Sequence, residues 1–235
     1  MTDALQVEQS AWCSTQDAQA VHRLHRSAVA KAWSGQVRPE TVEHFAAHQG
    51  SAGSIVANYN ASGQLVAYGV LALVMPIVSR FAALLGADPA RVCVLDGCAV
   101  DQDWRGHRLH EAAIVERLRL ATALGRPAAV ATVAPQNLPS LRSLLRAGFE
   151  VRRFALLYGG LPRFVLYRPA EPRLAAPPCE LRLSMHDVGR HQQALAAGWV
   201  GHACCQSPDG DWCLDYASSD KRQETAGATA RSDAS

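Results

Sequence analysis

Residues 92–149 constrain this chain more than any other stretch. Val92-Cys-Val-Leu-Asp-Gly-Cys-Ala-Val100 has the length and β-branched content of a buried strand. A short loop, Asp101-Gln-Asp-Trp-Arg-Gly-His-Arg-Leu-His110, leads into a helix predicted over residues 111–124. Residues 128–133 read as a second strand. Asn137 opens a further helix that ends at Gly148, ahead of Phe149. A strand that feeds through a basic loop into a helix start is built to hold a phosphate. The first amide N–H groups of a helix have no partner within it, and the helix dipole adds partial positive charge there. Arg105, His107, Arg108 and His110 surround that point, with Gly106 in the turn. Asp96 stands out in the first strand, because a carboxylate among apolar residues is costly to bury unless it is paired or used. Strand alternation predicts that it shares a face with Cys98 and Val100.

The rest of the composition narrows the class. With 235 residues and 49% apolar content, the chain has enough material for one packed core. A net charge of +2 is too small to argue for a nucleic-acid surface. No apolar run reaches the length that spans a bilayer, so no membrane partner is expected. The first residues carry no basic segment followed by an apolar run. The seven cysteines are odd in number and irregularly spaced, which reads as reduced, mostly buried thiols. His202, Cys204, Cys205 and Cys213, with His186 and His191, lack the spacing of a zinc knuckle, so no metal is expected. Together these features predict a cytoplasmic protein.

Along the chain, residues 5–7 read as a first strand and residues 15–31 as a helix with Ala20, Leu24 and Ala28 on one face. Pro39 is placed in the first turn of a second, shorter helix. Two strands follow, joined by a hairpin at Asn60-Ala-Ser-Gly63. Residues 75–89 carry a helical patch and read as a variable loop near the substrate. After Phe149 come two strands joined at Gly159-Gly160, a proline-punctuated linker, and a strand, helix and hairpin over residues 181–216. The passage 195–204 echoes 144–153. Shared helix-end chemistry, with Gly148 and Gly198 each in a left-handed turn, accounts for that echo without an internal duplication.

The order and spacing of the pieces between Val92 and Phe149 resemble the core of the GCN5-related N-acetyltransferases (GNATs). The resemblance covers roughly residues 5–167. It implies an α/β acyltransferase fold with a mixed, mostly antiparallel sheet flanked by helices and split around its fourth and fifth strands. It also implies acetyl-CoA as co-substrate. Trp104-Arg105-Gly106 is similar to the opening of the family's phosphate loop, but Arg108 and His110 fill positions where the family carries glycine or alanine. On this resemblance the cofactor is held by Cys98, Ala99 and Val100, by the loop residues Arg105, Gly106, His107, Arg108, Leu109 and His110, and by Asn137 and Ser140. Asp96 is the expected general base for direct acetyl transfer to an amine of a small molecule or amino acid. Leu144 stands where many members carry a tyrosine acid, so that role passes to Tyr158 or a water, or no acid is needed.

The expected organisation is an acetyltransferase domain over 1–168, an extension over 169–217 and a disordered tail over 218–235. The acceptor pocket is expected to be lined by the first two helices, residues 75–89, Tyr158 and Tyr167. The extension is expected to cover that pocket or to mediate a homodimer. A second reading stays open from the filled loop positions and Leu144: a CoA-binding sensor or interaction module that does not catalyse.

Overall fold

The computed structural model describes residues 8–10, 15–32, 36–48, 50–172 and 177–218; the strand expected at 5–7 and residues 219–235 of the expected tail lie outside them. In chain order the elements are β1 (Glu8–Ser10), α1 (Thr15–Lys31), α2 (Val42–Ala46), β2 (Gly53–Tyr59), β3 (Leu65–Ala72), α3 (Pro76–Leu85), β4 (Val92–Val100), α4 (Leu109–Ala123), β5 (Ala128–Val133), α5 (Leu138–Arg146), β6 (Glu150–Leu157), β7 (Leu161–Arg168), β8 (Leu181–Ser184), α6 (Val188–Ala196), β9 (Val200–Gln206) and β10 (Trp212–Ala217). The strands form one sheet in the order β1-β2-β3-β4-β5-β7-β6-β9-β10-β8. Its pairs are antiparallel except β4–β5. This is the mixed, mostly antiparallel α/β architecture expected from the sequence. No helix among the described residues is long and apolar enough to cross a membrane.

Two local expectations are corrected. Residues 75–89 are not a substrate loop: Pro76 starts α3, which buries Val78 and Phe81 against Val92, Val94 and Val130. Pro39 is not in the first turn of α2 either. The helix is capped by Thr41, whose Oγ1 accepts the His44 N–H at 3.3 Å, and Pro39 precedes that cap.

A third correction bears on the site. Between the pairs Gly69↔Cys98 and Leu71↔Leu95 the β3–β4 register shifts, so Val70 alone spans Asp96 and Gly97. Such a bulge resets the alternation and re-aims the side chains beyond it. Asp96 therefore does not share a face with Cys98 and Val100. It turns to α2, while Val100 packs with Leu109 of α4. Arg117 of α4 secures the bulge. Its side chain is buried, with Nε donating to the Ala113 carbonyl at 2.8 Å and Nη1 to the Val70 carbonyl at 3.1 Å. It lies across Gly69 so closely that a Cβ there would stand 2.7 Å from Nε and 2.8 Å from Cζ. Gly69→Ala is thus expected to destabilise the fold by about 1–3 kcal/mol, the usual effect of forcing atoms into a packed core. Denaturant unfolding reads this, and an unchanged midpoint would show that Arg117 moves aside freely.

The echo between 144–153 and 195–204 runs deeper than helix-end chemistry. The order strand, helix, strand, strand is made first by β5-α5-β6-β7 and again by β8-α6-β9-β10. In each set the third and fourth elements pair, and the fourth pairs with the first. Asn137 caps α5 through the Ser140 N–H; fifty residues on, Asp187 caps α6 through the Arg190 N–H. Gly148 and Gly198 both have φ of 86°. The two sets meet at β6–β9, where Val151 faces Gly201, its own counterpart at the same offset. A local two-fold axis relates them, and the reading without duplication is corrected to a repeated topology. The halves share a core in which Phe149, Val151 and Leu166 cluster with Leu183, Leu195, Leu214 and Tyr216.

Candidate active site

The parallel pair β4–β5 is short. It runs from Val92↔Ala128 to Leu95↔Ala131 and stops. Both strands continue, each still paired on its far side, β4 to β3 and β5 to β7. Their facing edges therefore part after Leu95, and the β5-facing backbone of residues 96–100 has no ladder partner. Backbone N–H and C=O groups left this way need partners from a ligand or water. The opening leads into a cleft of about 600 Å3.

Nine of the expected site residues line this cleft: Asp96, Cys98, Ala99, Val100, Arg105, His110, Asn137, Ser140 and Tyr158. Gly106, His107, Arg108 and Leu109 are not among its walls. Gly106 takes φ of 84°, which its lack of a Cβ permits. His107 Nδ1 lies 3.2 Å from the Trp104 carbonyl. Arg108, with φ of 59°, ends the loop; its side chain is 83% exposed and 3.7 Å from Glu111. Leu109 is buried with Val66 and Ala67. The helix starts two residues earlier than expected, at Leu109, and no side chain caps it. Its first amides are thus left for water or a ligand. Burial pushes His110 down to about 4, so it presents a neutral imidazole and the loop's charge comes from the arginines. Neither Tyr167 nor residues 75–89 line the cleft, which corrects the expected acceptor wall.

The opposite part of the lining comes from α1, one of the two helices expected at the acceptor pocket, and from residues that sequence reasoning did not name. Lys31, Arg38 and Glu40 belong to it, as do Thr132 and Arg163. Tyr158 Oη sits 3.1 Å from Thr132 Oγ1, and the Arg38 guanidinium lies 4.4 Å from the Tyr158 ring centroid. Burial raises the Tyr158 phenol, so it keeps its proton. Burial also raises the Cys98 thiol, which argues against a thiolate nucleophile there. Asp96 Oδ2 lies 3.5 Å from His44 Nε2 and 3.9 Å from His48 Nε2. His25 ties this corner together: its ring nitrogens meet Tyr68 Oη at 2.6 Å and the backbone of Arg38 and Glu40 at 3.0 and 3.1 Å. The i,i+4 spacing of His44 and His48 was the signal available in the sequence.

Among the described residues, His44, His48 and Asp96 are the His/Cys/Asp/Glu group close enough to be tested for a metal ion. Zinc–nitrogen distances near 2.0–2.1 Å put tetrahedral ligand atoms about 3.3 Å apart. Both separations from Asp96 exceed that, so no metal is assigned.

Residues 18–149 match the acetyltransferase (GNAT) family. The chain belongs to this family. Similar solved structures carry the same fold. yncA from Salmonella typhimurium, solved with its cofactor acetyl-CoA, is 15% identical, with a TM-score of 0.56 over 74% of this chain and 99% of that one. A GNAT superfamily phosphinothricin acetyltransferase from Sinorhizobium meliloti, in complex with AcCoA, is 16% identical, with a TM-score of 0.54 over 75% and 95%. The ribosomal-protein-S18-alanine N-acetyltransferase from Escherichia coli is 16% identical, with a TM-score of 0.51 over 75% and 100%. No curated protein matches the sequence. In this GNAT chain the family match ends at Phe149, so β6 to β10 lie beyond it.

Proposed function

We propose that this GNAT protein binds acetyl-CoA in the β4–β5 cleft and transfers the acetyl group directly to an amine of a small molecule or amino acid, in the cytoplasm. One observation carries the reading: the unpaired edge of β4 opens beside an uncapped helix start, with Arg105 of the loop between them in the same cleft wall. An amide-bearing arm finds strand-like partners on residues 96–100, and phosphates find the α4 amides with Arg105 and Arg108. Two structural neighbours were solved with acetyl-CoA, which supports the choice of co-substrate. Bound there, the co-substrate supplies an activated thioester.

The chain's own residues do the proton work. Asp96 accepts the proton that the attacking amine must lose as its C–N bond forms. Tyr158, protonated and held by Thr132, gives its proton to the thiolate as the C–S bond breaks. Leu144 lines the same cleft and offers no proton, so the acid role rests on Tyr158 or a water.

A thiol-release assay with acetyl-CoA and a panel of amines, beside thermal shift with CoA, tests the proposal. Stabilisation by CoA with no release across the panel would make this a non-catalytic CoA-binding module instead. The cofactor assignment has its own check. Arg105→Glu with Arg108→Glu should weaken CoA binding at least about a hundredfold, since each charge-assisted hydrogen bond to a phosphate is worth about 1.5–3 kcal/mol. Calorimetry showing unchanged affinity in the folded double variant would remove the phosphate site from this loop.

A further inference from the structure

We propose that Asp96, His44 and Glu40 form a proton path leading from the reaction cleft to a second cavity along α1. The path rests on the acetyl-transfer reading above and extends it. Its starting point is an unusual convergence. His44 Nε2, His48 Nε2 and Asp96 Oδ2 are buried, lie within 4.8 Å of one another, and have no hydrogen-bond partner. His48 Nδ1 lies 2.7 Å from the His44 carbonyl, which assigns its proton to that nitrogen and turns the Nε2 lone pair toward Asp96. His44 Nδ1 faces Glu40 Oε2 at 3.4 Å, so its Nε2 lone pair meets the same carboxylate. Lone pairs that converge in a buried site repel unless a proton lies among them. The cluster is therefore built to take up the proton that acetylation releases.

The exit follows from the neighbours of His44. Burial pushes this imidazole down to about 4, so it is neutral and has no stable imidazolium to pass through. It relays by accepting a proton at Nε2 from Asp96 while releasing the one on Nδ1 to Glu40. Glu40 lines both the cleft and the second cavity, whose walls include the exposed Arg23, Arg26 and Ala30. Burial raises its carboxyl to about 7, with Arg38 opposing, so it both takes and releases a proton near neutral pH. The protons balance: the amine proton reaches Asp96, one proton moves from Asp96 to His44, one from His44 to Glu40, and one from Glu40 to water; His44 is left as its other tautomer and must turn its ring to restore the Nδ1 proton before the next turnover. The groups facing the path are Arg38 and His25 beside Glu40, His48 beside Asp96, and Tyr68, Arg117 and Tyr158 within electrostatic reach of Asp96.

His44 and Glu40 act through Asp96, so they are positioning residues, and the test needs a readout beyond lost activity. Turnover by His44→Ala should fall about tenfold or more at pH 7, less than loss of the base itself, with the KM for acetyl-CoA unchanged. Added imidazole should restore part of it. Glu40→Gln should lower kcat and remove the limb of the kcat–pH profile near pH 7, and Glu40→Asp should recover part of both. A thermal melt of each variant confirms folding. If folded His44→Ala and Glu40→Gln keep normal kcat and profile while Asp96→Asn is slow, the base stands and the path is wrong. If Asp96→Asn is also near normal, both the path and the base reading fall.

Discussion

Asp96→Asn should lower kcat by about 10²–10⁴-fold, the usual contribution of a general base, while the KM for acetyl-CoA moves little. Asparagine keeps the shape of Asp96 but cannot take the amine proton. The loss should shrink at high pH, where more of the acceptor amine is already deprotonated. A role in structure alone has a different signature. The His44–Asp96–His48 contacts would weaken, the melting temperature would drop, and kcat and KM would worsen together with no relief at high pH. A stable variant with near-normal turnover would take the base role away from Asp96 and leave water as the candidate.

The second large effect concerns the C-terminal half of the sheet. Truncation after Arg168 should give insoluble protein. It removes Leu183, Met185, Ala194, Leu195, Leu214 and Tyr216 from a cluster they share with Phe149, Val151 and Leu166. It also removes Trp212, which holds the Arg142 guanidinium 4.2 Å from its ring centroid. Each large apolar side chain is worth about 1.5–3 kcal/mol of burial, and the five besides Ala194 rival the about 5–15 kcal/mol that holds a typical domain together. Removing residues 219–235, a stretch without an apolar anchor, should leave both melting and CoA binding unchanged. Sedimentation and thermal melts of the two truncations separate these outcomes. A soluble, active protein ending at Arg168 would make residues 177–218 an independent appendage.

The fold was largely legible because its signals are local. The apolar run of β4, the caps at Asn137 and Asp187, and the glycines at the ends of α5 and α6 each state their structure within a few residues. The cleft was legible in part for the same reason, since the loop after β4 carries its own arginines. What the sequence hid were pairings between distant strands. The bulge at Asp96–Gly97 depends on register with β3 and on an arginine of α4, neither of which marks the strand itself. It reversed the face assigned to Asp96 and so concealed its partners, His44 on α2 and His48 just beyond it. Glu40 was missed because its weight comes from burial, which composition does not report. The repeated half was visible as an echo, but only the sheet order separates a shared helix ending from a shared topology.

That repeat carries a demand that symmetry alone would not meet. At a two-fold axis, identical halves would set identical side chains face to face. Here the axial pair is Val151 and Gly201. A Cβ on Gly201 would stand 3.1 Å from the Val151 Cβ and 2.9 Å from Leu214 Cδ2. The seam has room for one valine and not for two. The halves can therefore be alike in path but not in sequence at the point where they touch, and the junction is specified by the residue at which the resemblance breaks.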